Sequence, residues 1–189
     1  MSEQTPTDRP VYRIRRPEQL RALGSSIRHR MVAAFEALGA CTVPELADSM
    51  GVQAETLFYD LKLLVSAGLV RRVGSRETGR RKAAVYELVA RDFEVRVDEE
   101  GEAFRDAYAT MGSALLRWAD RAHAAALESP DTRQAGPERE RSLAQFHARL
   151  GPEALRALNR RLESIEAFLA EAEDASAPLY VVTLVTSPA

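Results

Sequence analysis

The sequence predicts a mainly α chain with a small β component, an α+β class, and three observations predict it. Apolar residues step by three and four through most of the chain, the spacing that lines one face of a helix. Capping residues and glycines cut the first half into short helices. Two runs rich in β-branched and aromatic residues, LVRRVGS and AVYELV, sit back to back around a polar tip and predict a hairpin.

In chain order, residues 1–16 are polar, with Pro6, Pro10 and the basic cluster Arg13, Arg15 and Arg16, and are expected to be a flexible basic leader. Residues 17–23 predict a short helix. Ser26 is placed to cap a second, burying Ile27, Met31, Ala34, Phe35 and Leu38. Thr42 caps a third whose first turn carries Pro44 and Glu45, since proline and an early acid suit the open N-terminus. Gly51 stops it, and Gln53-Ala54-Glu55-Thr56 opens the next helix. Leu57, Leu61 and Leu64 give that helix an apolar side to pack on Leu46, Ala47 and Met50, and Gly68 ends it. The hairpin follows, with SRETGRRKA at its tip. Phe93, Val95 and Val97 then alternate with charged residues, as one more strand or an extended connector would. Residues 17–96 therefore form one domain, with a trihelical core.

Residues 97–189 form a second. In a long helix from residue 100 to about 127, Phe104, Tyr108, Met111, Leu115, Trp118 and Ala122 recur at the spacing of a heptad seam, which wants a partner helix. That partner is either another subunit, making Phe104, Tyr108, Met111, Leu115 and Trp118 a dimer interface, or the chain's own helix at 152–173. Residues 129–140 predict a loop. Residues 144–150 and 179–186 predict strands of a small sheet, although Leu143, Phe146 and Leu150 also fit a helix.

The helix at 53–67 leaves Gln53, Glu55, Thr56, Tyr59 and Lys62 facing solvent, a set that can hydrogen-bond base edges and phosphates in a major groove. The hairpin tip adds Arg76, Arg80, Arg81 and Lys82 against the lone Glu77, and phosphate is the natural counter-charge. Either feature alone is ordinary: a solvated helix face, or a soluble turn. Together they resemble the winged helix-turn-helix transcriptional regulators of the ArsR-like kind. The resemblance runs through residues 27–31, Glu45-Leu46-Ala47, residues 56–64, Ala67-Gly68-Leu69-Val70 and Val85-Tyr86-Glu87-Leu88, within residues 17–96. It implies that residues 53–67 are the recognition helix and residues 76–82 the wing, with double-stranded DNA as partner. Two departures stand out. Asp60 would repel phosphate if it faced the groove, and the recognition helix lacks the metal-sensing cysteine pair, so metal sensing is not inherited.

Charge is segregated between the halves. Residues 1–96 hold 16 Lys and Arg against 12 Asp and Glu, a net +4, whereas residues 97–189 hold 10 against 16, a net −6. The acidic half is expected to avoid phosphate and to dimerise. At 46% hydrophobic content, 189 residues can build a proper core. No apolar run reaches the ~20 residues of a membrane helix, and the first residues do not form a secretory signal, so no membrane contact and a cytoplasmic location are expected. Cys41 is the single cysteine and is expected to be buried and inert. His29, His123 and His147 fall in no metal-ligand spacing, and no phosphate loop or nucleophile elbow is present, so neither enzyme activity nor a cofactor is expected. Phe104, Tyr108, Trp118 and Tyr180 leave room for a small-molecule effector. The expectation is a sequence-specific DNA-binding regulator, homodimeric on an inverted-repeat site. The alternative is a winged-helix protein interaction module.

Overall fold

A computed structural model describes residues 11–78, 81–90, 92–95, 101–174 and 177–188. The chain divides into two compact units, Met1–Trp118 and Ala119–Ala189.

In the first unit a strand β1 (Val11–Ile14) precedes helices α1 (Pro17–Ala22) and α2 (Ser26–Leu38). The end of the expected flexible leader therefore has a partner, and residues 1–10 of that leader lie outside the described residues. β1 runs parallel to β5 (Asp92–Val95), with Tyr12 set edge-on to Phe93 and Arg13 paired to Glu94 at 2.8 Å. In α2, Met31, Ala34 and Phe35 are buried as expected, whereas Leu38 is exposed and Ser26 is the first helical residue rather than the cap.

A two-residue strand β2 (Cys41–Thr42) leads into α3 (Val43–Met50). Thr42 and Glu45 form a reciprocal capping box, and Gly51 takes the left-handed conformation, φ 64°, that closes the helix. Gly51→Ala should destabilise the unit by about 1 kcal/mol, because a Cβ is disfavoured there; thermal melting reads this directly. A single 3₁₀ turn (Ala54–Leu57) then opens α4 (Phe58–Ser66), and Gly68, φ 74°, turns the chain into the hairpin of β3 (Val70–Thr78) and β4 (Arg81–Leu88). The strand order is β2-β4-β3, antiparallel throughout, with a bulge between Arg72 and Gly74.

The core gathers Leu20, Met31, Phe35, Leu46, Leu57 and Leu64, all at most 2% exposed. It also takes in Phe104, Ala107 and Met111 from α5 (Glu102–Glu128). The α5 seam therefore turns inward at its start. Phe104 and Met111, expected at a dimer interface, are 1% and 8% exposed within the chain's own core, and only Tyr108 among the five is well exposed. The short helices of this unit leave an apolar opening that Phe104 fills, a demand the heptad pattern alone does not express.

Trp118 stacks on His29 with ring centroids 6.5 Å apart. The His29 Nε2 has no hydrogen-bond partner among the described residues. Burial lowers the His29 pKa to about 4, nearby Arg28 acting in the same direction and backbone groups of Met111 and Leu23 opposing it. A base with a depressed folded pKa contributes stability fully above its unfolded value of 6.5 and loses it as pH falls toward 4. About 2 kcal/mol should disappear over that interval, and His29→Phe should remove that part of the pH dependence in urea titrations at several pH values.

The second unit holds the end of α5, a stretch without helix or strand, and α6 (Pro152–Glu171). Residues 144–150 and 179–186 form no strands. Each has the composition of a strand, yet neither finds an edge to pair with, and unpaired backbone gains nothing from extended geometry. The helices expected after residue 97 form and the sheet does not, and the start of α5, expected in the second domain, belongs to the first unit. No described helix is long and apolar enough to cross a membrane.

Candidate nucleic-acid interface

The site is built on α4 and the hairpin that follows it. Leu57, Leu61 and Leu64 point into the core at 0%, 3% and 0% exposure, so the opposite side faces outward by helical geometry. Gln53, Glu55, Thr56, Tyr59 and Lys62 are all exposed, Tyr59 at 71%. The 3₁₀ turn sets the phase of this face. Thr56 donates its hydroxyl to the Gln53 carbonyl at 2.7 Å, which commits its proton and leaves both lone pairs of that hydroxyl for outside donors.

Asp60 is the residue whose placement matters most. Its Oδ1 accepts from Arg28 Nη1 at 2.7 Å, and the two side chains are 15% and 13% exposed. The same guanidinium donates to the carbonyls of Ala22 and Arg21 at the end of α1. Asp60 therefore looks inward and clamps α4 to α2. The exposed face keeps Glu55 as its acid.

The far end of α4 is held as firmly. Gln19, 2% exposed, accepts from the backbone of Arg15 and Arg16 and donates to Tyr12 Oη and to the Ala67 carbonyl, which Arg16 also reaches at 3.2 Å. Arg30 donates to the Met50 carbonyl at 2.7 Å, closing the end of α3. Arginines that a charge count would assign to a ligand are here structural caps for helix carbonyls.

The hairpin departs from expectation in one respect. Arg76 pairs with Glu45 at 2.5 Å and reaches the Ala40 carbonyl, so it fastens β3 to α3 instead of standing free. Glu45 is held below its usual carboxylate range by its hydrogen bonds with the Thr42 backbone and hydroxyl, and Arg76 adds to this. Beside them Cys41 is buried and its thiol is pushed up to about 11 by burial, Glu45 adding to that and Arg76 opposing it. An inert cysteine follows from the geometry. Lower on the hairpin, Arg71 pairs with Glu87 across the strands at 2.6 Å. Lys82 is exposed opposite Glu77. Arg80 lies outside the described residues, and of Arg81 only the backbone of β4 is described.

Two residues enter the surface that charge and hydrogen-bonding criteria passed over. Phe58 is 56% exposed on α4, and Arg72 is exposed on β3. Periodicity could have found the first, since position 58 falls outside the inward set of 57, 61 and 64.

No protein-family model matches the chain, and no curated protein matches it. Several solved chains are similar to it, among them the structure of a transcriptional regulator. That structure is a MarR-family transcriptional regulator from Silicibacter pomeroyi, 20% identical, matched over 83% of this chain and 82% of that one with a TM-score of 0.31. A score that low leaves the functional reading to the geometry of this chain.

Proposed function

We propose that this chain is a sequence-specific DNA-binding transcriptional regulator of the ArsR-like winged helix-turn-helix kind, without enzymatic activity, acting as a homodimer on an inverted-repeat duplex. α4 enters the major groove. Gln53, Glu55, Thr56 and Tyr59 meet base edges, while Lys62, Lys82, Arg80 and Arg81 meet phosphates. Arg76 is reassigned from phosphate contact to holding the wing against α3. The observation that carries the reading is the composition of the exposed face of the 3₁₀ turn and α4 once Asp60 is withdrawn to Arg28: a hydrogen-bonding surface from Gln53 to Tyr59 and a lysine, continuous in the chain with a cationic hairpin. Two copies would read half-sites about one helical turn, roughly 34 Å, apart.

The test is selection of binding sequences from random duplexes followed by gel shifts on the winners. Gln53→Ala or Thr56→Ala should change which sequences win, because those residues meet bases. Loss of cations should weaken all sequences alike.

A second reading is a protein-docking helix, favoured by Phe58 and Val65, 56% and 37% exposed on the same helix. Absence of DNA retention at low salt by the folded chain selects it. A small-molecule effector remains a candidate partner. Of the aromatics that suggested one, Phe104 fills the core, Trp118 stacks on His29 and Tyr180 donates to Glu140 at 3.2 Å. A stabilising ligand at ~100 times its dissociation constant would raise unfolding free energy by ~2.7 kcal/mol in a thermal-shift screen.

A further inference from the structure

We infer that the corner between β1 and α1 is a binding site for a small phosphorylated anion. An open cleft of about 560 Å³ lies there, lined by Tyr12, Arg13, Arg15, Arg16 and Gln19. That volume falls in the ~300–1,000 Å³ range of small-molecule sites. The lining residues supply three guanidinium groups and no carboxylate, so the ligand they suit is an anion. Arg13 gives its Nε to Glu94 at 2.8 Å and Arg16 gives one terminal amine to the Ala67 carbonyl at 3.2 Å. The Arg15 guanidinium has no partner among the described residues.

Gln19 fixes the arrangement. It is 2% exposed, its side-chain carbonyl accepts from the backbone N–H groups of Arg15 and Arg16 at 3.1 and 3.2 Å, and its amide donates to Tyr12 Oη at 2.8 Å. The stretch that carries two of the arginines is therefore held at both residues. Because Tyr12 Oη accepts that bond, its own proton remains for another acceptor. A phosphate group offers three terminal oxygens and up to two charges, enough to meet a guanidinium fork and a hydroxyl together, whereas a carboxylate offers two oxygens and one charge. The cleft adjoins Ala67, just past the end of α4, and Gln53, Glu55, Thr56 and Tyr59 lie toward the other end of that helix. A free molecule, rather than a duplex phosphate, is therefore the occupant, and the site stands apart from whether the first unit binds DNA.

Pyrophosphate is the probe. Titrated into the ¹⁵N-labelled full-length chain, with ionic strength held constant by sodium chloride, it should move the Gln19 side-chain amide signals saturably, with a dissociation constant below about 1 mM. Arg15→Ala should weaken binding about tenfold, the ratio that one charge-assisted hydrogen bond supplies, with unchanged circular dichroism. Arg15→Lys should recover only part of the loss, because an ammonium lacks the planar fork. Citrate, which carries its charge on carboxylates, should bind about tenfold more weakly than pyrophosphate. Shifts that rise without saturating, that persist in Arg15→Ala, or that citrate reproduces at equal affinity would overturn the proposal. Displacement of pyrophosphate by duplex DNA, or a flatter salt slope of duplex binding in Arg15→Ala, would overturn it too, since the cleft would then belong to the DNA surface. A chain that binds pyrophosphate and retains no duplex would sink the DNA reading and leave this site standing.

Discussion

Asp60→Ala is expected to destabilise the first unit by about 3 kcal/mol and to leave the affinity of the folded protein for duplex DNA no higher than that of the wild type. The carboxylate and Arg28 are each about one-seventh exposed, so removing one partner strands a charge that water only partly reaches. That guanidinium also holds two carbonyls at the end of α1, so its displacement would loosen three helices at once. Urea titration reads the loss. Arg28→Leu with Asp60→Leu should recover a large part of it, because replacing both charges removes the stranded one. The affinity arm separates the two placements of Asp60: an acid facing phosphate would, on removal, raise affinity, and such a rise would reject the inward position.

Lys62→Ala combined with Lys82→Ala should have the largest effect on binding. Both side chains are exposed, and neither has an ion pair among the described residues, in contrast to Arg76, Arg71 and Arg28. In a homodimer the two substitutions remove four phosphate contacts, which should flatten the slope of log affinity against log salt by about 3.6 and lower affinity at 0.1 M salt by about three orders of magnitude. Fluorescence anisotropy with a labelled duplex measures both. Circular dichroism should not change, since neither lysine supports the core. Arg76→Ala should behave differently, its main cost being the fastening of β3 to α3.

What could be read from the sequence follows a physical division. Capping at Thr42 with Glu45, the glycine stops at 51 and 68, and the inward leucines 57, 61 and 64 are properties of neighbours within one or two turns, and each was legible. The exposed face of α4 followed from the same period. Partners distant in sequence were not legible. β1 pairs with a strand some eighty residues later, Arg76 finds Glu45 thirty-one residues back, and Asp60 finds Arg28 thirty-two back, none of which local spacing encodes. The α5 seam shows the ambiguity most clearly, because a heptad stripe states that something apolar must cover it and not which surface does. Phe104, Ala107 and Met111 take the chain's own core, while the matching stripe on α6 is half-buried at Leu158 and Leu162 and exposed at Leu155, Ile165 and Leu169. The strands expected at 144–150 and 179–186 failed for the complementary reason: propensity supplies a willing segment, and a sheet also needs an edge.

The central claim is that the exposed face of α4 and its neighbouring hairpin bind duplex DNA through a limited set of phosphates. Anisotropy of a labelled duplex titrated with the folded wild-type chain between about 50 and 200 mM salt tests it most directly. Lys62 and Lys82 on two copies set a slope of about −3.6 or steeper, with tighter binding on selected than on scrambled sequence. A folded protein that retains no duplex at the lowest salt, or whose affinity is indifferent to salt, would contradict it.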